Sequence, residues 1–271
     1  MGKNRNPQAA EMAHESMVRN LDAQARAIWP QESRLIAAYR LPARANALDL
    51  ACGTGEISAR LARMLPRARI TGVDLIEPHL ERARKRCRRF GRRVQFLNAD
   101  AFKLPFRSGA FDFVINRHML QAVPDAERVL REAARVLRPG GRIHLLVEDY
   151  GMMHFWPVRT DTDAFWRLGP MAYAHSTGTD LKVGRKALHW LSRLGMKKVR
   201  VDYVVVDTVR VPRKLFARIW TAWRDGYTDS IAAHSSMTRR QVRDGWNDML
   251  AAIRNRHGYA VWQVPIISAI R

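Results

Sequence analysis

Residues 47–58 read Ala47-Leu48-Asp49-Leu50-Ala51-Cys52-Gly53-Thr54-Gly55-Glu56-Ile57-Ser58. The run around Ala47, Leu48 and Leu50 has the apolar character of a buried strand. It ends in a tight turn of small residues, Ala51 to Gly55. Apolar residues then recur at Ile57, Ala59, Leu61, Ala62 and Leu65, which is helical spacing. Strand, glycine turn and helix in this order hold a nucleotide-like ligand against a parallel sheet. Glycine there lets a ligand lie on backbone that a side chain would cover.

The next strand adds weight to the turn. Ile70 to Leu75 reads as a second strand, with the carboxylate of Asp74 at its C-terminal end. That is the place of an acid that accepts from two vicinal ribose hydroxyls. Val94 to Asn98 reads as a third strand, running into Asp100-Ala101, and Phe111 to Asn116 as a fourth, running into Arg117-His118. Ala126, Val129, Leu130, Ala133, Val136 and Leu137 mark a helix that Pro139-Gly140-Gly141 stops. Arg142 to Val147 predicts a fifth strand. Polar groups recur at the ends of successive strands, where open α/β sheets bind ligands.

Leu48-Asp49-Leu50-Ala51-Cys52-Gly53-Thr54-Gly55, Val73-Asp74, Asn98-Ala99-Asp100-Ala101, Phe111-Asp112-Phe113-Val114 and Leu137-Arg138-Pro139-Gly140-Gly141 together resemble the class I S-adenosylmethionine-dependent methyltransferases. They look most like the methyltransferase type 11 branch that alkylates small molecules. The resemblance covers roughly residues 40–208. It implies an α/β, Rossmann-like, seven-stranded, mostly parallel sheet with helices on both faces. It also implies S-adenosyl-L-methionine as cofactor, S-adenosyl-L-homocysteine as product, and a cofactor site at Asp49, Ala51, Cys52, Gly53, Gly55, Asp74, Leu75, Asp100, Ala101 and Asn116. Ala51 stands where the family pattern has its first glycine. A nicotinamide dehydrogenase is the competing fold, since Gly53, Gly55 and Ser58 nearly match its fingerprint. That reading leaves Asp100-Ala101 and Arg138 to Gly141 unexplained.

The chain has 271 residues, enough for one domain with insertions. We read residues 1–38 as a helical cap, 40–150 as the cofactor core and 150–180 as a lid loop rich in aromatics and Met. Residues 181–271 form the C-terminal half, with a helical insertion at about 212–256. No apolar run is long enough to span a bilayer. The N-terminus lacks a signal-peptide core, and Asn6 stands where an acylation signal would want Ser or Thr. A cytoplasmic protein is the expectation. Its two cysteines, Cys52 and Cys87, lie in no metal-ligand spacing.

The net charge of +22 is the observation that resists a small-molecule reading, because it favours polyanions. Residues 81–93 carry the densest basic run. Yet no nucleic-acid module accompanies it, and Asn116-Arg117-His118 is not the clamp used on exocyclic amines of bases. The expectation is methyl transfer to O or N, or C, of a small molecule by direct displacement. Two alternatives stand beside it: an RNA or DNA methyltransferase, and a catalytically silent cofactor-binding interaction protein. Displacement needs alignment and, for a hydroxyl, removal of a proton. His118, Glu148, Asp149 and His154 follow strand ends four and five, and His118 leads by residue type. At least half of the aromatics at helical spacing should be plain packing. No metal site is expected, and the oligomeric state is not legible.

Overall fold

The computed structural model describes residues 6–271. Alternation along the strands builds the core. In β1 (Asn46–Leu50) Ala47 faces one hydrophobic cluster and Leu48 another, and in β4 (Phe111–Arg117) Phe113 and Ile115 oppose Val114 in the same way. A strand buried on both faces belongs in the middle of a sheet. β2 (Arg69–Asp74) and β3 (Val94–Asn98) extend the sheet on one side of β1, and β5 (Leu137–Leu146) lies beyond β4. All four of these pairings are parallel.

β8 (Tyr259–Ile270) runs antiparallel beside β5 and also pairs with β6 (Met153–Trp156) and β7 (Lys197–Asp207). Among the described residues the sheet therefore has eight strands in the order β3-β2-β1-β4-β5-β8-β6, with β7 on β8. The sequence predicts seven. The extra strand is β6, four residues inside the expected lid loop, too short for its alternation to register. Met153 and Phe155 are buried there, while His154 and Trp156 are exposed.

Helices cover both faces. α2 (Glu15–Ala38) and α3 (Glu56–Met64) pack on the face of Ala47 and Phe113. α5 (Ala126–Val136) and α8 (Gly184–Arg193) pack on the face of Leu48 and Val114. The Asp125 side chain caps α5 by accepting from the Arg128 N–H. α5 buries Val129, Leu130 and Val136, about 1.5–3 kcal/mol each. α4 (Glu77–Cys87) continues into a 3-10 turn over Arg88–Arg93.

Several cations of that basic stretch have internal partners. Arg93 donates to the carbonyls of Ala62, in the last turn of α3, and of Leu65 and Ala68 just beyond it. Arg86 pairs with Glu56, and Arg84 with Glu77.

A third layer closes over the ligand edge. It contains α1 (Ala9–Ala13), the first half of α2, α6 (Thr162–Leu168), α7 (Pro170–Thr177), α9 (Arg213–Ala233) and α10 (Arg239–Arg254). The expected lid loop is thus largely ordered. Asp161 caps α6, and Gly169-Pro170 separates α6 from α7. Phe155, Phe165, Phe216, Trp220 and Trp262 interlock in this layer as plain core. Among the described residues no helix is long and apolar enough to cross a membrane. The expectation at the extreme N-terminus falls partly on residues 1–5, outside the described residues.

Candidate functional site

The turn after β1 is held from below. Asp74, ending β2, accepts from the backbone N–H groups of Gly53 and Ile76 at 2.8 and 2.9 Å. Gly53 has φ +51°, and a Cβ there would meet Leu21 at 2.9 Å. Ala51 has φ +58°, a left-handed conformation that glycine adopts without strain. Its methyl group is thus accommodated in the place where the family pattern has glycine.

These residues floor a cleft of about 780 Å³, its mouth included. Of the residues expected at a cofactor site, Ala51, Gly53, Asp74, Leu75, Asp100 and Ala101 line it. Leu75 is 46% exposed, an apolar side chain left open on the cleft wall. Arg117 also lines it, with its side chain only 7% exposed and Nη2 without a partner. Its Nε lies 2.9 Å from Oε1 of Glu32 on α2, which is fully buried and also takes His144 Nε2 at 3.1 Å. Burial pushes the Glu32 carboxyl up, but Arg117 and His144 outweigh it and hold it below the usual range.

A second cavity of about 650 Å³ lies under the helical layer. Met12, Leu21 and His118 line both cavities. His118 sits just past β4 with φ +55°. Its N–H donates to Leu146 O, and its carbonyl accepts from Gln121 Nε2 at 2.9 Å, which fixes this strained residue in place. Nδ1 meets Oε1 of fully buried Glu148, while Nε2 is buried and without a partner. The carboxylate sets the tautomer: a proton on Nδ1 leaves the Nε2 lone pair without a partner.

Other expected site residues stand elsewhere. Asp49 does not line the cleft. It accepts from Ser58 Oγ at 2.6 Å, tying β1 to α3, and burial raises its carboxyl to about 6. Cys52 packs under the turn against Gly72, and burial raises its thiol. At Gly55 a Cβ would strike Ala83 at 2.9 Å, so this glycine serves the close approach of α3 and α4. Asn116 donates to Leu50 O at 2.7 Å and pins β4 to β1.

His154, expected as a catalytic candidate, is not brought to either cavity. It lies on the exposed side of β6 and lines neither cavity, because the strand aims Met153 and Phe155 inward instead. Asp149 is engaged with Arg185 at 2.6 and 2.8 Å. Among the described residues no cluster of His, Cys, Asp and Glu is arranged for a metal ion.

The sequence reading missed Arg117, Glu32, Asn20 and Gln121. A signal for one was present: Glu32 falls four residues from both Ile28 and Ile36 on the buried stripe of α2.

Residues 48–145 match the family model described as a methyltransferase domain. The UbiE ubiquinone/menaquinone biosynthesis C-methyltransferase of Desulfotalea psychrophila is 45% identical over 101 residues, 37% of this chain and 40% of that one. The demethylmenaquinone methyltransferase of Thermus thermophilus is 40% identical over 118 residues, 44% of this chain and 53% of that one. The chain thus spans about half the length of the curated relatives it matches.

Among solved structures, phosphoethanolamine N-methyltransferase 2 of Haemonchus contortus, in complex with S-adenosyl-L-methionine, aligns with a TM-score of 0.60 at 17% identity. That alignment covers 98% of this chain and 60% of that one. Geranyl diphosphate C-methyltransferase of Streptomyces coelicolor aligns with a TM-score of 0.57 at 16% identity, over 99% and 88% of the two chains. At such identities the likeness is one of fold.

Proposed function

We propose that residues 48–145, which match a methyltransferase domain, are of the class I S-adenosylmethionine-dependent type, and that the protein transfers a methyl group to a hydroxyl of a small-molecule acceptor. The observation that carries this reading is His118, which lines both cavities with Nδ1 held by Glu148 and Nε2 without a partner. A base is of use only where donor and acceptor meet, and His118 is shared by the linings of both cavities.

The cleft suits S-adenosyl-L-methionine. The Ala51–Gly53 backbone forms its floor, and Leu75 offers an apolar face for a flat base. The Asp74 and Asp100 carboxylates suit ribose and adenine groups at the strand ends. The unpartnered Nη2 of buried Arg117 supplies a countercharge for a carboxylate.

The bound cofactor supplies an electrophilic sulfonium methyl. The protein aligns the acceptor oxygen with it and excludes water beneath the helical layer. His118 Nε2 would take the hydroxyl proton of the acceptor, and bound S-adenosyl-L-methionine would supply the methyl group to its oxygen. Glu148 stabilises the imidazolium that results.

A cytoplasmic location fits a chain with no spanning helix among its described residues. The testing experiment is calorimetry with S-adenosylhomocysteine and with NADH, followed by transfer of labelled methyl to hydroxylated acceptors. Binding of NADH alone overturns the reading.

A further inference from the structure

The acceptor cavity has a charge pattern opposite to that of the chain. The sequence carries 47 Lys and Arg residues and a net charge of +22. None of the described Lys or Arg side chains lines this cavity. Among the described residues its acidic and basic side chains are Glu148 and His118, already engaged with each other. Burial pushes the phenols of Tyr150 and Tyr227 well above their usual range, so they remain neutral there.

The walls are aromatic. Tyr150 stacks on Trp166 at 5.1 Å between centroids, and Trp223 and Trp246 stand edge-on to them. The cavity is nonetheless not purely apolar. Asn20 is 1% exposed, and both atoms of its amide lack a partner. The indole N–H groups of Trp166 and Trp246 and Oε1 of Gln121 are also buried and unpartnered. Buried polar atoms are nearly always satisfied, so these groups await a ligand that can accept and donate.

We infer that this cavity takes an uncharged, aromatic or similarly flat acceptor, which bears the reacting hydroxyl and at least one further neutral hydrogen-bonding group, and that it rejects carboxylated and phosphorylated acceptors. The inference rests on the methyl-transfer reading and names the substrate class for it. An anionic group entering here would lose its water, meet no countercharge and face the Glu148 carboxylate. An uncharged ring loses little water and gains contact with the aromatic walls. Asn20, Trp166 and Trp246 would then select among such rings by their oxygen and nitrogen substituents.

The test uses the full chain saturated with S-adenosylhomocysteine, and a panel of phenols and naphthols each paired with its carboxylated counterpart. Calorimetry should show binding by neutral members, with their carboxylated partners weaker by roughly tenfold or more. Trp246→Phe keeps the ring and removes the N–H. It should weaken the best neutral ligand by about 3–10-fold while leaving S-adenosylhomocysteine affinity unchanged. A carboxylated member that binds as tightly as its neutral partner overturns the inference, and so does a panel without a binder. Failure of S-adenosylhomocysteine itself to bind is a separate result: it overturns the methyl-transfer reading, and the acceptor class falls with it.

Discussion

Arg117, at the end of β4, and Glu32, in the middle of α2, form a buried ion pair at 2.9 Å. Their side chains are 7% and 0% exposed. The pair joins the helical cap to the wall of the cofactor cleft. Glu32 also holds His144, which in turn meets the Tyr39 hydroxyl at 2.8 Å. The guanidinium is thereby aimed before any ligand arrives.

If Arg117 pairs with the cofactor's carboxylate, Arg117→Gln should weaken S-adenosylhomocysteine by about 1.5–3 kcal/mol, the value of hydrogen bonds to a charged group. Methylthioadenosine lacks that carboxylate, so its affinity should not change. Calorimetry with both ligands separates the two effects. Equal losses for both would make Arg117 a structural residue only.

His118→Ala should lower the transfer rate by roughly 10²–10⁴-fold, with S-adenosylhomocysteine affinity nearly unchanged. Glu148→Gln should act in the same direction, because it removes the charge that sets the imidazole tautomer. Single-turnover transfer of labelled methyl reads both variants. Near-normal turnover in His118→Ala would leave alignment alone to explain catalysis.

Asp49 gives the pH dependence of stability a sign. Burial raises its folded carboxyl to about 6, above the unfolded value near 3.9. The folded state therefore binds more protons between these values, and stability falls as pH rises through that window. One pKa unit is about 1.4 kcal/mol, so the loss by pH 7 is on the order of 2–3 kcal/mol. Asp49→Asn can still accept from Ser58. Urea unfolding should show its advantage over the parent growing between pH 4.5 and 7; a constant difference contradicts this.

The basic run should divide by partner. Arg93→Gln removes donors to three backbone carbonyls and should cost about 1.5–3 kcal/mol. Arg88→Gln and Arg92→Gln alter exposed side chains and should stay within about 0.5 kcal/mol. Thermal unfolding of the three variants, compared with methyl transfer, also asks whether the charge matters to function. Salt-dependent RNA binding that collapses in the Arg88 and Arg92 variants would favour a polyanion as acceptor.

The cofactor half was legible because its signals are local. A strand, its turn and the next helix lie within Asn46–Met64, and Asp74 ends the adjacent strand. Yet the residue-level reading blurred where two jobs share one motif. Asp49, Gly55 and Asn116 belong to the pattern, but their side chains, or the lack of one, serve packing around the turn. A motif records which residues recur together; it does not say which of them touch the ligand and which hold those that do.

From its sequence alone, this chain determined a doubly covered parallel sheet, a glycine turn for a nucleotide-like ligand and a histidine after the fourth strand. Each follows from side-chain periodicity or backbone conformation over a few residues. Only the tertiary structure decided what the histidine faces and which residues line the cavity beneath the helical layer. The cavity draws Asn20 from α2, Tyr150 from the connection after β5, Trp166 from α6, Trp223 from α9 and Trp246 from α10. Tyr227 reaches Gln8 across 219 positions of chain. Helical periodicity marks such residues as buried. Whether a buried ring fills the core, as Trp220 does, or lines a cavity, as Trp223 does three residues later, is set by how the helices pack against one another.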